Sequence, residues 1–302
     1  MNKANNRLLI GIALMLTAMS VVPLVDIIAK ILSKSYPVIE VSWSRFFFHS
    51  LWLLPVLYWR KLNWWRVPKK PGVQLFRSLM LTSATVLFFL AIKSNPIPNA
   101  LTLLFISPLV VATIAPFVLG EKFDIIMGLG VLAGFIGVVV VLQPNTEEFR
   151  PSLMYAFAAG ICYGLYIVST RKLSLSAPPI VTLFYTALVG TIALTPFIIS
   201  DWVMPDLRSI VLMAAMGLFA ATAHFLIIKA FEFASASELS PFNYFEIIGA
   251  IFFSYLVFDF LPNTTAIIGL TVIIISGLIV SWRAIKINKQ LDSKVESRIE
   301  RI

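Results

Sequence analysis

The chain has 302 residues, of which 59% are hydrophobic and only 13% charged, with a mean hydropathy of +0.91. A soluble domain carries about 25% charged residues, so a water-soluble fold is excluded and an integral membrane protein is expected. Lys and Arg outnumber Asp and Glu by 24 to 15. These positives lie between apolar runs rather than on one polar face, which fits the orientation bias of membrane proteins and not nucleic-acid binding. Cys162 is the only cysteine and His49 and His224 the only histidines. That excludes an intrachain disulfide and argues against a Cys- or His-based metal site, so neither metal nor cofactor is expected.

Crossing a hydrocarbon core of about 30 Å takes about 20 apolar residues, and by that rule the chain divides into ten helical segments. Their approximate limits are 8–31, 38–59, 73–93, 97–119, 124–142, 152–171, 179–200, 207–229, 238–258 and 264–282. The first has charges before it, as a signal peptide has. It is too long for a typical signal core and lacks a small-x-small cleavage site, so it reads as a retained helix. A charged tail, Arg283–Ile302, reads as a solvated helix or disorder. With the N-terminus inside, 18 Lys and Arg fall on one side and five on the other, Arg45 lying within a segment. The positive-inside rule then puts both termini in the cytoplasm. Trp59, Trp64 and Trp65 beside Arg60–Lys70 read as an interfacial anchor among lipid headgroups.

The chain also repeats itself. Leu32-Ser33 matches Leu173-Ser174, Pro37 matches Pro178 and Pro55 matches Pro196, each at an offset of 141. Further on the offset is 139 for Ala91 with Ala230 and Ser107 with Glu246, then 138 for Glu121 with Asp259. Segments 1–5 thus correspond to segments 6–10. Five is odd, so the second copy enters the membrane from the opposite side, an inverted repeat of the kind secondary transporters use. The expected organisation is a first repeat over 1–143, a second over 144–283 and a cytoplasmic tail over 284–302.

Glu246 heads the candidate site residues, because an ionisable group in an apolar run costs at least ~2.5–3.5 kcal/mol and usually faces a protein interior or wet cavity. A carboxylate there can hold a proton or face a cationic substrate, or it can form an interhelical bond. Asn243 and Tyr244 lie within a turn of it. Ser107, before Pro108, occupies the twin position in segment 4, where Pro108 and Pro116 free the local backbone. Asp26 and Lys30, four apart, share a face and can pair; Lys30 can instead reach the interface, leaving Asp26 to find another partner. Arg45 shares a face with His49 and can neutralise Asp26 or Glu246 or bind a substrate carboxylate. His224 is a candidate proton relay or a packing residue. Tyr163 and Tyr166 are cavity candidates through the equivalence of segments 1 and 6. Trp43 fits an aromatic belt at the interface. Glu121 and Asp259 read as helix N-caps. Gly130, Gly134 and Gly137 allow close helix packing, with a homodimer face as the alternative.

Three stretches carry a family likeness: Ala91-Ile92-Lys93-Ser94-Asn95-Pro96-Ile97-Pro98-Asn99-Ala100, Phe105-Ile106-Ser107-Pro108-Leu109 and Leu119-Gly120-Glu121-Lys122. Lys229–Glu238, Tyr244-Phe245-Glu246 and Val257-Phe258-Asp259 match them in the second half. Together they resemble the two signatures of EamA-type transporters in the drug/metabolite transporter superfamily. The resemblance implies ten helices, a central cavity between repeats, and proton-driven or exchange transport of small organic metabolites. Asp26–Lys30, Ile39-Glu40-Val41 and Arg45–Phe48 look most like S-adenosylmethionine carriers, while Pro241–Pro262 is also similar to riboflavin carriers. Ile247 stands where many members have a proline, and Asp259 where the first loop has a glutamate. Both departures leave the substrate open.

The expected function is secondary active transport across a bacterial cytoplasmic membrane. An S-adenosylmethionine-like cationic or zwitterionic metabolite is favoured, with a riboflavin or amino-acid carrier as the alternative. Its partners would be lipid, metabolite and protons. A membrane scaffold or receptor is the alternative of another class. An enzyme is disfavoured because the histidines are isolated, and no Gly-x-x-x-x-Gly-Lys-Ser/Thr stretch is present for a nucleotide.

Overall fold

The computed structural model describes residues 3–62, 70–119, 125–142, 150–173, 178–234 and 239–299. Every regular element among them is helical. In order they are α1 (Lys3–Leu32), α2 (Val38–Trp59), α3 (Pro71–Ser94), α4 (Ile97–Leu104), α5 (Ser107–Leu119), α6 (Ile125–Leu142), α7 (Leu153–Leu173), α8 (Pro179–Ile198), α9 (Leu207–Phe233), a 3-10 helix (Ser240–Phe245), α10 (Glu246–Phe258) and α11 (Thr264–Ile299). Trp64, Trp65, Glu121 and Ser235–Glu238 lie outside the described residues, so the anchor and capping readings there are not addressed.

Prolines set several helix starts. Pro37 and Pro178 take almost identical extended conformations, ψ 139° and 138°, before α2 and α8. Each of these helices also contains a proline, Pro55 and Pro196. The sequence offset of 141 is thus expressed as equivalent local structure. The packing follows the same pairing: α1 lies on α9 and its counterpart α7 on α3, while α2 meets α8 and α6 meets α11.

Side chains cannot be driven together by water inside a bilayer, so small residues that permit close backbone approach carry the packing. At the α6–α11 contact a Cβ on Gly137 would lie 3.0 Å from the Gly269 carbonyl, and one on Gly269 would lie 2.9 Å from the Gly137 carbonyl. Gly130 and Gly134 are filled by Val280 and Leu109. All three glycines of the motif therefore pack within the chain, and the homodimer reading has no support from them.

Among the described residues, six helical stretches are long and apolar enough to cross a membrane by length and composition: Arg7–Leu32, Pro71–Ser94, Ile97–Ile114, Leu153–Leu173, Pro179–Ile198 and Leu207–Phe233. Gly128–Leu142, Phe242–Phe258 and Thr264–Val280 are shorter apolar helices. Their outer faces expose large apolar side chains such as Phe117, Ile125, Leu132 and Ile136, a surface suited to lipid.

Three local expectations are corrected. Segment 4 is two helices, because Pro108 has no N–H for the Leu104 carbonyl. Around the break Ile106 N instead donates to Leu103 O at 3.2 Å. Segment 9 begins as a 3-10 helix and becomes α-helical only at Glu246. The tail takes the helical one of its two alternatives, the last helix running past Arg283 to Ile299. Asp259 is no N-cap: it closes α10 in the left-handed region (φ 52°, ψ 39°), and Asn263 Oδ1 accepts from Ala266 N at 2.8 Å at the start of α11.

Candidate functional site

The broken helices are the frame of the site. Ser107 opens α5 and Glu246 opens α10, so the two residues related by the repeat stand at equivalent half-helix starts. Both are buried, at 4% and 8% exposure. Against the first break, Gly160 and Gly164 let the α7 backbone approach: added Cβ atoms would meet the Leu104 and Ser107 carbonyls at 2.9 and 3.0 Å.

These starts face a central cavity of about 90 Å³. Seven of the nine candidates line it: Asp26 from α1, Arg45 from α2, Ser107 from α5, Tyr163 from α7, His224 from α9, Asn243 from the 3-10 helix, and Glu246. Phe88, Phe89 and Phe105 add aromatic surface, and Thr85 a hydroxyl. Residues separated by 220 positions thus meet at one spot, which helix periodicity alone does not reveal.

Arg45 is the hub. Its Nη1 donates to Thr85 Oγ1 at 2.7 Å and its Nη2 lies 3.1 Å from His224 Nε2. A guanidinium only donates, so His224 Nε2 accepts and the imidazole proton sits on Nδ1. Neither Asp26 nor Glu246 is within ion-pair distance of Arg45 among the described residues. Arg45 Nε, Asp26 Oδ2 and His224 Nδ1 have no protein partner. Buried polar groups left so are costly, about 1–3 kcal/mol each, and among the described residues three of them surround this one cavity.

Lys30 does not pair with Asp26. Its Nζ donates to the carbonyls of Ile92, at 2.7 Å, and of Asn95, which leaves Asp26 without it. Two of the nine candidates stand apart from the cavity. Tyr244 is buried in the core, edge-on to Phe105 at 5.2 Å. Tyr166 sits behind the wall, stacked on Tyr163 at 5.6 Å and edge-on to His224 at 6.1 Å. His49, 6.3 Å from His224, has both ring nitrogens unpartnered. Trp43 donates to Thr195 and stacks on Phe47 at 4.7 Å.

Arg77, one of the 18 positives that the topology count places on the inner side, does not lie at the surface. It is 0% exposed, with Nε on Thr170 Oγ1 at 2.7 Å, Nη2 on Tyr166 Oη at 3.1 Å, and Nη1 on Thr186 Oγ1 and the Thr182 carbonyl. Its position four residues inside segment 3 fits a snorkelling side chain as well as a buried one, so the sequence carries no signal that separates them. Removing it leaves the inside excess of positives intact. Glu40 is also buried, its Oε2 accepting from Val203 N at 3.0 Å and so holding the α8–α9 loop on the first turn of α2.

Comparison with known proteins adds the family. The model of the EamA-like transporter family matches twice, over residues 9–143 and 150–282. An S-adenosylmethionine uptake transporter of Rickettsia prowazekii is 27% identical over 298 residues, covering 99% of this chain and 100% of that one. A riboflavin transporter of Vibrio cholerae is 27% identical over 201 residues, 65% of this chain and 66% of that one. A pseudopaline exporter of Pseudomonas aeruginosa is 25% identical over 214 residues, 68% and 74% of the two chains. One solved crystal structure of a protein superposes with a TM-score of 0.65 at 16% identity, covering 93% of this chain and 98% of that one, which shows a shared fold. The two family matches, these relatives and the apolar helices identify a multi-pass bacterial membrane protein: the chain belongs to the EamA-like transporter family.

Proposed function

We propose that the chain is a secondary active transporter of the cytoplasmic membrane that moves a small organic metabolite by alternating access about the central cavity. All ten segments then cross the bilayer, as two inverted five-helix repeats with both termini in the cytoplasm. The observation that carries this reading is the meeting of Ser107 and Glu246, at twin half-helix starts, with Asp26 and Arg45 in one cavity.

The charges favour a cationic or zwitterionic solute, since two carboxylates face the cavity with one guanidinium. Phe88, Phe89, Phe105 and Tyr163 offer faces for a planar ring. Both features suit a metabolite like the one named for the Rickettsia relatives. The aromatic walls equally suit a flavin, the second reading, as named for the Vibrio relative. At about 90 Å³ the cavity is smaller than the roughly 300–1,000 Å³ of typical ligand sites. Entry therefore requires the surrounding helices to part, as alternating access requires. In exchange, Asp26 and Glu246 can carry protons or pair with the cationic end of the solute.

Uptake of labelled S-adenosylmethionine and riboflavin into proteoliposomes, with and without a proton gradient, tests this. Saturable uptake by the native chain and its loss in Glu246→Gln is expected. A folded protein with no saturable flux for either solute or for a broad metabolite panel would favour the scaffold reading, and wild-type flux in Glu246→Gln would remove that residue from the mechanism.

A further inference from the structure

An open groove of about 520 Å³ lies on the outer surface of the helix bundle, between α2 and α9. Phe48, Leu51, Trp52, Pro55, Tyr58 and Trp59 line it, and their three- and four-residue spacing puts them on one face of α2. Ala214 lines it from α9, and the Trp52 indole N–H donates to the Ala214 carbonyl at 3.0 Å, which holds that ring against α9. No charged side chain is among the described lining. At a rise of about 1.5 Å per residue the face from Phe48 to Trp59 is about 16 Å long, half of a hydrocarbon core of about 30 Å. Trp59 is the last residue of α2, so the groove runs from midway along the helix to its end, the reach of one acyl chain in one leaflet.

That end is cationic. α2 closes in a Schellman turn, Lys61 N donating to Tyr58 O and Leu62 N to Leu57 O, both at 3.1 Å. These bonds occupy the last carbonyls, and the exposed side chains of Arg60 and Lys61 take no hydrogen bond or ion pair among the described residues. Tyr58 Oη and Trp59 Nε1 are also unbonded there, on side chains 79% and 78% exposed. Lys61 holds the left-handed position (φ 50°), where glycine is the usual residue, so a lysine stands here against its backbone preference. Glu40, the acidic residue of α2, is at the opposite end of the helix. We propose that the α2–α9 groove binds one anionic phospholipid. An acyl chain lies along the face from Phe48 to Trp59, Arg60 and Lys61 hold the phosphate and its charged head group, and Tyr58 and Trp59 donate to the glycerol esters. A two-fold dimer through this face would set Arg60 and Lys61 beside their own copies, so charge favours lipid over a second chain. The groove shares no lining residue with the central cavity, and lipid binding does not depend on the transport reading.

Native mass spectrometry of the full chain in detergent, titrated with dioleoylphosphatidylglycerol or dioleoylphosphatidylcholine, tests the site. One phosphatidylglycerol should be retained saturably, about tenfold or more tighter than phosphatidylcholine, the scale expected of two basic residues beside an anionic head group. The double variant Arg60→Gln/Lys61→Gln should bring phosphatidylglycerol down to the phosphatidylcholine level and leave phosphatidylcholine as it was. Lys61→Gly separates the lipid contact from the turn: it should keep or raise the midpoint of thermal unfolding while weakening phosphatidylglycerol severalfold. Leu51→Trp, at an exposed position, narrows the groove and should weaken both lipids. Glycerophosphoglycerol, the head group without acyl chains, should not compete. Equal retention of the two lipids, which is annular lipid only, would overturn the proposal, as would unchanged retention in the double variant or competition by the bare head group. A dimer that Leu51→Trp breaks would give the groove to a second copy and overturn it as well.

Discussion

Two guanidiniums are buried in this protein, and they are held in opposite ways. Arg77 is enclosed by neutral oxygens of α7 and α8, and every one of its nitrogens is bonded. Arg45 shares a cavity with two carboxylates that it does not touch, and its Nε is left without a partner. The first arrangement ties α3 to the second repeat; the second leaves polar capacity unspent beside a cavity lined from both repeats. Burial of charge therefore does not by itself separate a structural group from a candidate site residue here.

The strongest way to break this contrast is at Arg77. Arg77→Ala would take the guanidinium from the Tyr166, Thr170 and Thr186 hydroxyls, the two threonines keeping their bonds to helix carbonyls, and open a void, and should cost about 3–5 kcal/mol of stability. Thermal unfolding of the detergent-solubilised protein measures it, and an unchanged midpoint would refute the scaffold role. The reverse is expected at the cavity. Arg45→Gln and Asp26→Asn should remove most coupled flux from proteoliposomes while shifting unfolding far less than Arg77→Ala does.

Glu40 sharpens the distinction among the carboxylates. It is as buried as Glu246 but faces a loop amide, not the cavity. Glu40→Ala should cost about 1–3 kcal/mol and leave substrate affinity as it was; a changed affinity with unchanged stability would move Glu40 into the site. Asn263→Ala, which removes the cap of α11, should cost about 1 kcal/mol. The smallest effect belongs to Asp206, the N-cap of α9. Its carboxylate is held below the usual range by the Ser209 amide and hydroxyl. Because the folded value is the lower one, its contribution is present above the ordinary carboxylate pKa and fades as pH falls through the lowered value. A slight loss of stability in acid that Asp206→Ala no longer shows would demonstrate it.

Much of the frame was legible along the chain. Apolar length located the helices, and the prolines at matched offsets announced equivalent turns because a proline imposes the same φ and the same missing donor wherever it falls. Most of the candidates that line the cavity were also legible, since a polar residue in a lipid-length run has few other reasons to be there, while Ser107 and Tyr163 came from the repeat. The misreadings share a cause. Arg77 lies near a helix end, where sequence cannot tell a snorkelling side chain from one turned inward. Tyr244 and Asn243 are neighbours, yet one faces Phe105 and the other the cavity, because the 3-10 helix changes the angle between successive side chains.

Composition, periodicity and the internal repeat by themselves determined that this is a helical membrane protein with two related halves and a carboxylate at only one of the matched positions 107 and 246. Those are properties of single segments and of their register. Only the tertiary structure decided that Asp26 is left by Lys30, that Arg45 turns to His224 and Thr85, that Arg77 is locked inside, and that Trp52 of α2 reaches the Ala214 carbonyl of α9 along an open groove. Each depends on which helix faces which, and that follows from the close approach of Gly137 to Gly269 and of α7 to the broken turn, contacts between residues far apart in the chain.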